Sequence, residues 1–158
     1  MKRINKIIHH PLFVNQMDRL TDLESERIFC RHDLQHLLDV ARLMWIEVLE
    51  YQILLDREVV YATALLHDIG RVNQIEQGIP HDQASAELAA RILPEAGFTT
   101  AEADTIIRAI CAHRTNESAD TLSQVLYRAD KFSRTCWCCG ARNQCKWADE
   151  KKNEGIIR

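Results

Sequence analysis

The chain contains no stretch in which Val, Ile or Thr alternates with polar residues over the length of a strand, so nothing in it asks for a half-buried sheet. No apolar run approaches the roughly 20 residues that span a bilayer. Positive charge is not in excess either: 20 Lys and Arg stand against 23 Asp and Glu, a formal net charge of -3, and nucleic acid is not the expected partner. The basic opening, Met1-Lys2-Arg3-Ile4-Asn5-Lys6, lacks the continuous apolar segment and small-residue cleavage site of a secretory signal, and a cytoplasmic protein is the expectation. There is no internal repeat and no low-complexity segment. A disulfide framework is not indicated: Cys136, Cys138, Cys139 and Cys145 crowd one short segment, which suits a metal or reactive thiols better.

What is there is helical periodicity, in a chain of 158 residues that is long enough to bury one core. Residues 4 to 29 read as one or two helices broken near Pro11, with Leu20, Leu23 and Phe29 facing inward. Leu37, Val40, Ala41, Met44, Trp45, Val48 and Leu49 form the clearest stripe, with Glu47 and Glu50 off it. Asp56 is placed to cap a helix running through Val59, Val60, Ala62 and Leu65, and Gly70 sits where a residue just past a helix end is expected. Residues 70 to 80, punctuated by Gly70, Asn73, Gly78 and Pro80, read as a loop. A helix from about Asp82 is ended by Pro94 and Gly97, another runs from Thr100 to near His113, and Thr115 to Ala119 is a polar connection. Leu122, Val125, Leu126, Ala129 and Phe132 mark the last strong helix. The expectation is an all-α bundle of about six helices. Its domain covers residues 1–135 with a core at 30–135, and a Cys-rich tail at 136–158 is not a separate domain.

The polar exceptions on these helices are informative. His67 and Asp68 end an apolar run, His36 lies beside the stripe containing Val40, and His113 follows Ile106 and Ile110 onto an inward face. Asp130 is one turn past Leu126, and His81 stands at the mouth of its helix. A lone inward His is most often a hydrogen-bonded core residue. Six ligand-type side chains from several helices in one small core are costly without a compensating cation, and imidazole with carboxylate suits Fe, Mn, Co, Ni or Zn. His32, four before His36, is a supporting residue, a substrate contact or a cap neighbour, while His9 and His10 read as surface residues.

His36-Leu37-Leu38-Asp39-Val40-Ala41, Leu65-Leu66-His67-Asp68-Ile69-Gly70 and Leu126-Tyr127-Arg128-Ala129-Asp130-Lys131 together resemble the H…HD…D signature of the HD-domain metal-dependent phosphohydrolases, over roughly residues 30 to 135. His81-Asp82-Gln83-Ala84-Ser85-Ala86 and Ile110-Cys111-Ala112-His113 resemble further ligand segments of members with two metals, in an order similar to that of the small HD-type diadenosine tetraphosphate hydrolases. The resemblance implies one divalent metal on His36, His67, Asp68 and Asp130 and a second on His81 and His113, with Asp68 bridging. It implies catalysis centred on Asp68 and His67 and hydrolysis of a phosphate ester or anhydride of a nucleotide or other small molecule by a metal-activated water. Arg71, Arg114, Lys131 and Arg134 adjoin ligand segments and are candidates for phosphate contacts, against the alternative of ordinary solvated charge.

The Cys segment lies outside that signature. Cys136, Cys139 and Cys145 make C-x2-C-x5-C, a spacing for Zn or an iron–sulfur cluster with Cys138, Cys30 or an external group as fourth ligand, or for reduced thiols packed beside Trp137 and Trp147. The alternative function is therefore a non-catalytic metal or redox sensor on the same scaffold. The oligomeric state is not legible.

Overall fold

The computed structural model describes residues 1–114 and 120–157, and the expected connection at Thr115 to Ala119 lies outside them. Among the described residues there are eight α-helices and no strand: α1 (Lys2–Ile8), α2 (Pro11–Leu23), α3 (Leu34–Glu50), α4 (Arg57–Leu66), α5 (Arg71–Gln77), α6 (His81–Ala96), α7 (Thr100–Ala112) and α8 (Thr121–Phe132). The fold is the all-α bundle the periodicity asks for. No described helix is long and apolar enough to cross a membrane.

The helix starts are set by side chains that satisfy otherwise orphaned backbone N–H groups. Asp33, Asp56 and Asp120 cap α3, α4 and α8, and Thr99 with Glu102 forms a reciprocal capping box on α7. His10 is no bystander: its ring Nδ1 accepts from Leu12 N–H at 3.2 Å and starts α2. α3 lies against α4 and α8, while α7 packs on α6, α4 and α8. Their inward stripes, including Val40, Met44, Leu65, Leu66, Ile92, Ile106, Ile110, Val125 and Leu126, are buried in one core.

Several expectations are corrected. The bundle has more than six helices, because the stretch read as a loop at 70–80 contains α5. Gly70 does not directly follow a helix end: α4 stops at Leu66 with His67 as its C-cap, and Gly70, at φ -79°, starts α5. Glycine is required there by proximity: a Cβ would stand 2.4 Å from Ser85 N and 2.6 Å from His81 O. α2 ends at Leu23 rather than near 29, and Leu23, Phe29 and Leu49 are exposed. Glu47, expected off the stripe, is buried because Arg128 of α8 reaches it, Nε to Oε1 2.8 Å. Pro94 lies inside α6, whose last turn continues to Ala96 before Gly97 turns out at φ 93°.

Beyond α8 the tail forms three single 3-10 turns, Cys136–Cys138, Arg142–Gln144 and Asp149–Lys151. Asn153 Nδ2 contacts the carbonyls of Lys131 at 2.9 Å and Arg134 at 2.7 Å, so the tail folds back over the end of α8.

Candidate metal centre

α4 runs apolar to Leu66 and delivers His67 and Asp68 into the core, where they are 0% and 2% exposed. Burying such a pair is costly unless its atoms find partners. His67 spends Nδ1 on the Ala64 carbonyl at 2.7 Å, which makes Nδ1 the protonated nitrogen and leaves the Nε2 lone pair facing inward. His113, just after α7, does the same with the Ile110 carbonyl at 2.5 Å. His81, the first residue of α6, places Nδ1 3.0 Å from Gln74 Oε1. Arg71 donates to that same oxygen at 3.3 Å, so Gln74 presents an acceptor and His81 Nδ1 must donate. The Nε2 atoms of His81 and His113 then face each other at 3.1 Å with two lone pairs and no proton between them.

Asp68 divides these imidazoles. Its Oδ2 lies 3.3 Å from His67 Nε2 and 3.7 Å from His36 Nε2, while its Oδ1 lies 3.3 Å from His81 Nε2 and 3.8 Å from His113 Nε2. Two trios of ligand atoms result, His36–His67–Asp68 and Asp68–His81–His113, each with all atoms within 4.8 Å of one another. Asp130, on α8, approaches the first trio through His36, with Oδ1 3.6 Å from Nε2. His36 Nε2 and His67 Nε2 are buried atoms with no hydrogen-bond partner. Orphaned imidazole nitrogens beside carboxylates, and paired lone pairs opposite them, are the arrangement a cation would satisfy. The donor set therefore fits divalent metal.

The electrostatics set the two poles of Asp68 apart. Burial opposes ionisation of Asp68, yet His67, His36 and Arg71 hold its carboxyl well below the ordinary value. Burial likewise opposes the charge on Asp130, but Lys131 and His67 bring its pKa down to about 2. Burial works against a proton on His67, and the two carboxylates outweigh it, raising its pKa, so a cation on its Nε2 would bind by displacing a proton. Burial pushes His81 to about 3 and His113 to about 4, so both are neutral and free to ligate.

The four candidate phosphate contacts separate. Arg71 belongs to the site, donating to Asp68 through Nε at 3.0 Å and Nη2 at 3.4 Å, and Lys131 is bonded to Asp130. Arg114 is exposed and 3.4 Å from Asp82, and Arg134 stacks over Trp147 at 4.4 Å. Neither of the two trios includes Cys136, Cys139 or Cys145, three half-buried free thiols; Cys136 and Cys139 lie near Cys30, whose thiol pKa is raised by burial and by these two neighbours. Sequence reasoning missed Gln74 and Glu24. Gln74 fixes His81, and Glu24 holds His32 against the site through Oε1 to ring Nδ1 at 2.7 Å. Both partnerships depend on where a connection folds, and no spacing signals them.

A family model described as HD domain matches residues 33–135, the span that carries His36 through Asp130. An uncharacterized protein of Clostridium beijerinckii is 39% identical over 153 residues, covering 97% of both chains. Ribonuclease Y of Thermoanaerobacter pseudethanolicus is 32% identical over 120 residues, 76% of this chain but 21% of that protein. In three dimensions the chain is similar to the crystal structure of a predicted HD superfamily hydrolase from an uncultured Thermotogales bacterium. The TM-score is 0.68 at 21% identity, over 92% of this chain and 81% of the other, a likeness of fold.

Proposed function

The chain belongs to the HD-domain family, and on that premise we propose that it is a dinuclear metal-dependent phosphohydrolase acting on a nucleotide or another small phosphorylated molecule. The observation that carries this reading is the split of one buried carboxylate between two imidazole sets, Oδ2 to His36 and His67 and Oδ1 to His81 and His113. His36, His67, Asp68 and Asp130 would hold one divalent cation, and Asp68, His81 and His113 the other. Cations so held supply an activated water at neutral pH and neutralise phosphate oxygens.

The remaining work falls to the protein. Ala64, Ile110 and Gln74 fix three imidazoles by their Nδ1 atoms, so the Nε2 atoms of His67, His113 and His81 are aimed before substrate arrives. Arg71 clamps Asp68 from both oxygens and keeps one N–H on Gln74, placing a guanidinium beside the carboxylate where phosphate charge would gather. Lys131 adds a second cationic group through Asp130. The likeness to a protein named as a ribonuclease places phosphodiesters, alongside nucleotides and phosphomonoesters, among the compounds to assay.

The test combines metal analysis of anaerobically purified protein with a panel of nucleotides, phosphomonoesters and short RNA. The reading expects two first-row metal ions per chain and metal-dependent release of phosphate or nucleotide from at least one compound. Asp68→Asn should lower kcat/KM by at least about a thousandfold, since it weakens both positions at once. Hydrolysis that persists after complete metal removal, or that Asp68→Asn leaves intact, would end this reading.

A further inference from the structure

The connection from α2 to α3 ends in a histidine that the two trios leave out. Glu24 follows α2 and is 5% exposed; His32 precedes Asp33, the cap of α3, and is 9% exposed. The Glu24 carboxylate is spent on His32 from both oxygens. Oε2 accepts the His32 backbone N–H at 2.8 Å, and Oε1 accepts from the ring Nδ1 at 2.7 Å. A loop could be closed by the backbone bond alone. The second bond fixes the ring, and it fixes it with Nε2 turned toward Asp68 Oδ2 at 3.9 Å.

That is the same oxygen faced by His36 at 3.7 Å and His67 at 3.3 Å. The His32 and His36 rings stand at 89° with centroids 5.8 Å apart, converging on Oδ2 from different directions without stacking. Atoms bound at about 2.1 Å to a common ion are separated by about 3 to 4 Å, and the 3.9 Å between His32 Nε2 and Asp68 Oδ2 falls in that range. Its Nδ1 is also treated like those of His67, His81 and His113, each bonded to an oxygen while Nε2 faces Asp68. An imidazole that gives Nδ1–H to a carboxylate and aims Nε2 at a metal is a recurrent ligand arrangement.

We propose that His32, aimed by Glu24, is a third imidazole ligand at the Oδ2 pole of Asp68, so that this position is a three-histidine site for a first-row divalent cation. The inference rests on the reading that the cluster binds metal. Glu24 is its positioning residue, acting only through His32. Three imidazoles shift the preference of the Oδ2 position away from Mg and Mn, which favour oxygen ligands, and toward Fe, Co, Ni and Zn.

The experiment is cobalt titration of metal-free, full-length protein, followed by metal content and by the ligand-field absorption of bound Co(II). His32→Ala and Glu24→Gln are compared with the unaltered chain. His32→Ala is expected to weaken cobalt binding at one position by at least about tenfold and to change the absorption envelope. Glu24→Gln should weaken it about tenfold while keeping the stoichiometry, because outer partners of ligating histidines act on that scale. A role in loop closure alone would lower thermal stability and leave the cobalt spectrum unchanged. If His32→Ala does not fold, Glu24→Gln carries the test, since a glutamine retains an acceptor for the loop. Wild-type affinity and spectrum in the folded variants would overturn the inference while leaving the two-metal reading intact. No cobalt uptake by the unaltered chain would overturn both.

Discussion

His32, His67, His81 and His113 each have Nδ1 fixed from behind, and this makes small backbone shifts expensive for the site. Gly70 shows it best. Its amide donates to Ser85 Oγ at 2.8 Å, and a Cβ would meet the backbone of Ser85, His81 and Ala84 at 2.4 to 2.8 Å. Main chain cannot rotate away like a flexible side chain, so Gly70→Ala must push the first turn of α6 off, and His81 with it. The expected cost is about 3 kcal/mol, read as a fall in melting temperature of about 6–12 °C for a chain of this size. Cobalt at the Oδ1 position should be lost as well. A melting point within 2 °C of wild type, with unchanged cobalt content, would contradict this. His36, His67, Asp68, His81, His113 and Asp130 are legible in the sequence because each is a polar residue at an inward helical position, an exception that stands out. Glu24 and Gln74 are not, since their roles arise only after a connection and a short helix have folded.

Among the elements, the long amphipathic helices are legible and the short ones are not. α5 has seven residues with only Val72 buried, too weak a stripe to stand against Gly70, Asn73 and Gly78. α1 is equally short and would be marginal alone. It is held by Ile4 and Ile7 in the core and by Arg3, whose Nε meets Glu58 at 2.7 Å, Nη1 meets Glu102 at 2.7 Å and Nη2 meets Asp56 at 2.9 Å. One guanidinium thus ties α1 to the starts of α4 and α7, and also covers the Phe98 ring at 4.2 Å. Arg3→Met is expected to cost about 1–2 kcal/mol in urea unfolding at pH 7. The difference should depend on pH. Arg3 holds the carboxyls of Glu58 and Glu102 below their ordinary value of 4.5, so their contribution is present above that pH and fades as pH falls through the folded-state values. The gap between wild type and variant should therefore be full at pH 7 and narrow below about pH 4.5. A gap that stays constant down to pH 3 would show that packing, not the carboxylates, is what Arg3 supplies.

For the molecule as a whole, the ligand set is a cross-link. His36 enters from α3, His67 and Asp68 from the end of α4, His81 from α6, His113 from the end of α7 and Asp130 from α8. These are the helices that form the core, so an ion at Asp68 ties together elements distant in sequence, and binding becomes folding energy. That the helices converge here is legible from the periodicity of each, but the division of Asp68 between two poles is not, because it depends on crossing angles. An unfolded chain presents no such constellation. A cation that binds only the native state stabilises it by RT ln(1 + [L]/Kd), about 2.7 kcal/mol at a hundredfold excess over Kd. Cobalt added to metal-free protein should then raise the melting temperature by about 5–11 °C, with a chelator reversing the shift. Asp68→Asn should melt at the same temperature with and without metal, since it removes the carboxylate common to both poles. A wild-type melting curve indifferent to metal at millimolar concentration would mean that the buried imidazoles are satisfied within the protein. A shift retained in full by Asp68→Asn would place the stabilising ion elsewhere.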